Sequence, residues 1–253
     1  MLGTGLFNTY DPVNVWANDS AVYLDGGNDY AEIVMPLVVS NGVRSSFTLS
    51  LWVKSDSATI NADFVIWYHV DGNTSNNAEQ YLWYDESEEK IKFTRTDEDG
   101  LNPATSEMPQ SKTRMAQWSH VAVSVIHDGD MKIFVNTVTT GSTVADSPGA
   151  WGASIAKMYY GVNKSTNDDY FNGYINNVAI WNENFGGGAI TEIYNQGRPK
   201  NELESYPASN IYFYHVSNEK HFSSDTGYQI ATFGVSLAGR ILYSGAIVVS
   251  KPA

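Results

Sequence analysis

Apolar and polar residues alternate along most of this chain with a period of two. In Phe47–Lys54 (FTLSLWVK), Phe47, Leu49, Leu51 and Val53 point one way, and Thr48, Ser50, Trp52 and Lys54 the other. This is the mark of a strand that lays one face on a core. The pattern continues over Trp118–Val138, WSHVAVSVIHDGDMKIFVNTV. Here Val121, Ala122, Val123, Val125 and Ile126 form an almost unbroken apolar run, expected to be covered on both faces. Met131, Ile133 and Val135 then alternate with Lys132 and Asn136, and Asp128-Gly129 predicts a tight type I′ turn between the two strands. Further strands are predicted at 21–24, 30–33, 63–70, 80–84, 90–94, 158–162, 174–181, 211–216, 230–235, 241–243 and 246–249, with polar turns between them. Asn176-Asn177 interrupts the alternation and predicts a bulge. One helix is predicted at 189–196, where Ile190, Ile193 and Tyr194 share a face, Gly197 supplies a C-cap and Pro199 prevents continuation. The pattern as a whole predicts an all-β layered protein with one short helix.

A chain of 253 residues can bury a full core as one domain. Residues 21–199 are expected to form the main body, with 200–253 as a strand-rich extension packed on it. Residues 1–20 carry Leu6, Phe7, Tyr10 and Trp16 without a sustained period. They are expected to be an arm that contributes to an assembly contact, because such side chains are costly to leave in water. No apolar run approaches the ~20 residues of a membrane helix, and Met1–Gly5 lacks the basic and apolar segments of a signal peptide. Neither membrane insertion nor an export signal is therefore expected. There is no cysteine, which excludes disulfides and thiolate metal sites. A net charge of −13 with only 15 basic residues argues against nucleic acid as a partner.

Read in order, four segments and a helix resemble the laminin-G-like branch of the concanavalin A-like lectin/glucanase superfamily. The segments are AVYLDGGNDYAEI (21–33), SSFTLSLWVKSDS (45–57), WSHVAVSVIHDGDMKIFVN (118–136) and FNGYINNVAIWNENF (171–185), and the helix is AITEIYNQG (189–197). The resemblance spans roughly residues 20–200. It implies a jelly-roll β-sandwich of two antiparallel sheets, a frame that serves lectins, adhesion modules, glycosidases and virion components alike. One departure stands out: Asn136-Thr137 replaces the Asp-Gly usual after the second hairpin strand.

Glucanases of this fold set carboxylates on alternate residues of one strand, so that acid and nucleophile share a face. No such triplet occurs. Asp85–Glu89 falls between strands, and Glu202 and Glu204 lack a third partner. Nucleophile-elbow, zinc-protease and phosphate-loop motifs are also missing. The five histidines have no metal-ligand spacing, and His120 reads as a hydrogen-bonded structural residue. A non-catalytic protein is expected. The resemblance implies Ca²⁺ at the sandwich rim, where Asn163, Asp168 and Asp169 supply the oxygen ligands this ion prefers. Trp52, Trp67, Tyr68, Trp83 and Tyr84 form a candidate glycan-binding set, since exposed rings stack on the apolar faces of sugars. The alternative is that these rings are buried under loops or against another subunit. Because the resemblance includes virion proteins of tailed phages, the expected role is a structural or adhesion component of a virion surface (capsid decoration, fibre or tail). Such a component would be a homo-oligomer with virion subunits as partners, and cell-surface glycans as a further partner. An extracellular lectin is the alternative, and a glycoside hydrolase ranks behind both.

Overall fold

A computed structural model of the chain describes residues 21–34, 46–70, 79–96, 103–127, 129–139, 144–145, 157–181 and 183–194. It also describes the backbone of 211–215, 230–237 and 240–250. The described residues contain fifteen strands: β1 (Val22–Asp25), β2 (Tyr30–Val34), β3 (Phe47–Ser55), β4 (Phe64–Val70), β5 (Glu79–Asp85), β6 (Lys90–Arg95), β7 (Ala104–Pro109), β8 (Ser119–Val125), β9 (Asp130–Val135), β10 (Val144–Ala145), β11 (Lys157–Tyr160), β12 (Asn172–Trp181), β13 (Ile211–His215), β14 (Ile230–Leu237) and β15 (Arg240–Ser250). Two helices join them: a single turn, α1 (Lys112–Met115), and the longer α2 (Gly187–Tyr194). The arm expected at 1–20 lies outside the described residues.

The strands form two antiparallel sheets. The first runs β10-β9-β8-β3-β12, with β1 along the first half of β12, and the second runs β2-β11-β4-β5-β6-β7. Strands β13, β14 and β15 link them, β13 pairing with β12 and β15 with β2. Between the sheets lies the core that the period of two foretold. Leu49, Leu51, Val53, Val121, Val123 and Ile133 meet Ile66, Leu82, Ile91, Phe93 and Met158. Phe47 of β3 touches Phe93 of β6 edge-on, ring centroids 6.3 Å apart. Each such side chain contributes about 1.5–3 kcal/mol by leaving water.

The expected bulge is present. The β12–β3 register shifts between Asn176 and Ala179, and Asn177 takes φ 47°. The hairpin at 126–130 differs from expectation. Gly129 N donates to Ile126 O at 2.9 Å and Ile126 N donates to Asp130 O at 2.9 Å. These bonds enclose a three-residue loop instead of the two-residue turn, and Asp128 itself lies outside the described residues. Three-residue hairpin loops favour glycine at their last position, so Asp-Gly marked the right hairpin with the wrong loop length.

The outer face of the first sheet is covered. Ile190 and Ile193 of α2 pack on Ala122, Phe134, Ala179, Trp181 and Phe185, which matches the predicted apolar face. The polar side of β3 is buried there as well. Thr48 Oγ1 donates to Glu183 O at 2.7 Å and accepts from Phe185 N at 2.9 Å, and Ser124 Oγ donates to Phe185 O at 2.8 Å. These hydroxyls satisfy the backbone of the segment leading into α2, so alternation here records a polar seam and not a solvent face.

Candidate functional site

The structure separates the five rings of the candidate glycan set. Trp52 is buried on the first sheet, where the Tyr194 ring of α2 stacks on it at 5.8 Å and 13°. Trp67 and Tyr84 are wholly buried in the core between the sheets. None of these three offers a ring face to a sugar. The reason at Trp67 is a bulge: the β4–β5 register shifts between Val65 and Trp67, so Ile66 and Trp67 both turn inward. Tyr84 follows Trp83 directly and must take the opposite face of its strand.

Tyr68 and Trp83 remain together, on the outer face of the second sheet. They belong to a row that the sequence did not reveal, made by cross-strand pairing. Glu32 of β2 opposes Tyr159 of β11, Tyr159 opposes Tyr68 of β4, Tyr68 opposes Tyr81 of β5, Tyr81 opposes Thr94 of β6, and Thr94 opposes Thr105 of β7. At a strand spacing of about 4.8 Å these five steps span roughly 24 Å. Tyr68 lies 6.1 Å from both Tyr159 and Tyr81, Tyr81 lies 6.3 Å from Trp83, and Tyr30 lies 6.2 Å from Tyr159. Tyr68 and Tyr159 are buried and form the base, while Tyr30, Tyr81, Trp83 and Tyr170 are half-buried and pack around it.

Polar groups frame these rings. Trp83 Nε1 donates to Thr94 Oγ1 at 3.0 Å, and the Thr94 and Thr105 hydroxyls are 3.0 Å apart. The Tyr68 hydroxyl donates to Glu79 Oε2. Burial, and next the Glu79 charge, push the Tyr68 hydroxyl well above the usual phenol range, and burial raises the Glu79 carboxyl. Two ammonium groups lie against ring faces, Lys164 4.3 Å from the Tyr30 centroid and Lys92 5.1 Å from that of Trp83. The face thus offers apolar rings, hydroxyls and both signs of charge.

The loop after β11 carries Lys164 and Tyr170, and begins at Gly161. Its φ of +79° suits glycine alone, because a Cβ there would lie 2.2 Å from Leu24 Cδ1. The same loop contains the candidate Ca²⁺ ligands. Asn163 Oδ1 accepts from Ser165 N at 3.1 Å and Ser165 Oγ at 2.7 Å, and Asn163 Nδ2 donates to Asp169 Oδ2 at 3.5 Å. Thr166 Oγ1 donates to Asp168 Oδ1. Burial raises the Asp169 carboxyl, with the Asp168 charge next in weight. Among the described residues no three His, Cys, Asp or Glu side chains are grouped to hold a metal. Two carboxylates and one amide, already engaged within their own turn, would need backbone carbonyls and waters beside them to make up the six to eight oxygens Ca²⁺ takes.

Elsewhere, His120 Nε2 lies 2.7 Å from Ser50 Oγ beneath α2. Burial holds its imidazole down to about 3. The pair is sealed from solvent, and among the described residues no carboxylate stands beside it as a third member.

Two stacked antiparallel sheets with a ring-rich outer face define a lectin-like β-sandwich. The chain belongs to the concanavalin A-like lectin/glucanases superfamily, whose laminin-G-like profile matches residues 25–190. No curated protein sequence matches it. Among solved structures it is similar to the native heptameric SAP-like pentraxin of Limulus polyphemus, with a TM-score of 0.52 at 12% identity, covering 70% of this chain and 82% of that one. It is similar to the CBM40 of the Ruminococcus gnavus IT-sialidase, with a TM-score of 0.53 at 14% identity, covering 69% and 96%; that module has also been solved bound to alpha2,3 sialyllactose. It also resembles the receptor binding domain of botulinum neurotoxin C/D mosaic serotype, with a TM-score of 0.54 at 11% identity, covering 88% of this chain and 55% of that one. At these identities the likeness is one of fold.

Proposed function

We propose that this chain is a non-catalytic adhesion module that binds glycans on the outer face of its second sheet. One observation carries the reading: half-buried Tyr30, Tyr81, Trp83 and Tyr170 ring a buried base of Tyr68 and Tyr159. Aromatic faces match the C–H faces of pyranoses, and Glu79, Thr105 and Lys164 stand nearby to bond hydroxyls. A non-catalytic role is supported by the strands themselves, since none of those described carries two carboxylates two residues apart. The module serves within a multi-copy surface assembly, a virion surface above all. Support for that setting comes from the cysteine-free, acidic sandwich alone, and proteomics of purified particles would test it.

The binding face is tested by a glycan array followed by titration of its strongest hit. Removing a central ring from a binding surface costs about 2 kcal/mol or more, which is roughly 30-fold in affinity. Trp83→Ala and Tyr81→Ala should each approach that loss with little change in melting temperature. Unaltered affinity in both would overturn the assignment.

A further inference from the structure

Between β3 and β4 lies an open surface cavity of about 220 Å³, most of whose lining residues are exposed. Ser57, Thr59, Asn61, Asp63 and Asn172 give it hydroxyl, amide and carboxylate groups, and Tyr170 gives it an aromatic wall. Its floor is Phe64, held between the rings of Tyr84 at 5.2 Å and Phe171 at 5.0 Å. The rim is braced by its own bonds. Asp56 N donates to Asn172 O at 3.1 Å, Ser55 Oγ donates to Ser57 O at 3.0 Å, and Thr59 N donates to Ser57 Oγ at 2.9 Å. Asp63 Oδ1 accepts from Glu86 N at 2.8 Å, which fixes the carboxylate and leaves its other oxygen available.

Three features describe what would enter. The volume lies below the roughly 300–1,000 Å³ of sites that take drug-sized ligands, which suits one sugar ring and not a chain. The lining is mostly apolar, with Ile60, Phe64 and Tyr170, and is edged by hydroxyls, amides and a carboxylate, groups that bond the hydroxyls of a polyol. Among the described residues neither lysine nor arginine lines the cavity, and Asp63 lines it while also opposing Asp169. A carboxylated or sulfated sugar would be repelled.

Tyr170 joins this cavity to the rest of the molecule. It lines the cavity and also packs against the cluster of Val65, Tyr68, Tyr159 and Val162 at the base of the aromatic face. We infer that the cavity is a terminal subsite of that face, taking one neutral pyranose, an end or a branch, of an oligosaccharide whose chain lies along the tyrosine row. The inference rests on the glycan-binding reading for its ligand class and adds to it the charge of the sugar and where the chain ends.

Ligand-observed NMR on the full chain tests it, with glucose, galactose and mannose as probes, their linear tetrasaccharides alongside, and glucuronic acid as the anionic control. At least one neutral monosaccharide should bind and glucuronic acid should not. Asn61→Trp places a bulky ring in the cavity from an exposed position with no described partner, and should abolish that signal; Asn172→Ala should weaken it severalfold. An unchanged melting temperature shows that either variant has folded. Monosaccharide binding that survives both variants, or a preference for glucuronic acid, would sink the subsite. Should only tetrasaccharides bind, lost in Trp83→Ala and kept in Asn61→Trp, the face stands and the cavity falls. Binding by no probe refutes the subsite, and the glycan array then decides the face on its own.

Discussion

Thr137 shows what a single residue can cost. After β9 the chain turns through Asn136 and Thr137 at φ 48° and 73°. Val135 N donates to Val138 O at 2.9 Å and Val138 N donates back to Val135 O at 3.0 Å. This is a two-residue turn of the type that demands left-handed backbone at both central positions. Asn136 tolerates it, and its side chain also accepts from His120 N at 2.9 Å. A β-branched threonine there is strained by about 1–2 kcal/mol. Thr137→Gly should therefore raise the unfolding free energy by about 1 kcal/mol, the greater freedom of glycine in the unfolded chain offsetting part of the gain. A urea midpoint that stays put or falls would contradict this. The same scale limits what could be read of the site. Tyr68 and Trp83 were named because they lie in strands recognised as such, but so were Trp67 and Tyr84, and nothing in the sequence told the outward pair from the inward one. Trp67 turned out to lie inward because one bulged residue reverses the phase of β4. Tyr30, Tyr81, Tyr159 and Tyr170 were missed because their meeting depends on register across β2, β11, β4 and β5, and no period within one strand records that.

Elements were easier to read than contacts. Long alternating runs such as β3 and β12 have a strong period, whereas β7 reads Ala104-Thr-Ser-Glu-Met-Pro109, with Ala104, Ser106 and Met108 turned inward. Two small residues and one methionine make too faint an apolar face to recognise. The helix α2 was legible from Ile190 and Ile193, but its job was not. It seals Ser50, Trp52 and His120 from water, with the Tyr194 ring 5.9 Å from the imidazole. That seal has a pH signature. The buried imidazole stays neutral down to about pH 3, while the unfolded chain takes up the proton near 6.5. Between those values the unfolded state binds more protons, so stability present above pH 6.5 falls as the pH is lowered. The loss is at most about 1.4 kcal/mol per pH unit for one group. Unfolding free energy measured by urea between pH 6.5 and 5 should decline, and less steeply in His120→Gln. Equal slopes in the two proteins would remove His120 as the cause.

For the molecule as a whole, β13, β14 and β15 matter most. By pairing with β12 at one side and β2 at the other, they turn two sheets into one continuous ladder. The sequence showed strands in 200–253 but not their place, since the family likeness stops short of them. Removing residues 211–253 would bare one edge of β12 along Val178–Trp181 and one edge of β2. Bare edges invite pairing with other chains. The shortened protein should self-associate as its concentration rises, detectable by sedimentation velocity. A shortened chain that stays monomeric, with an unchanged melting temperature, would show the bridge to be dispensable.

That bridge also imposes an order in time. Glu32 of β2 pairs with Val248 of β15, a partner made roughly 200 residues later, which at about 5–20 residues per second means some 10–40 s of translation. Strand β1 waits in the same way for β12. Of the described strands, β1 and β2 come earliest in the sequence and wait long for these partners, and so much non-local pairing makes for slow folding. Until β15 emerges, the growing chain holds an open edge, and the carboxylate of Glu32 on that strand is the kind of charge that keeps a waiting edge from pairing with the wrong neighbour.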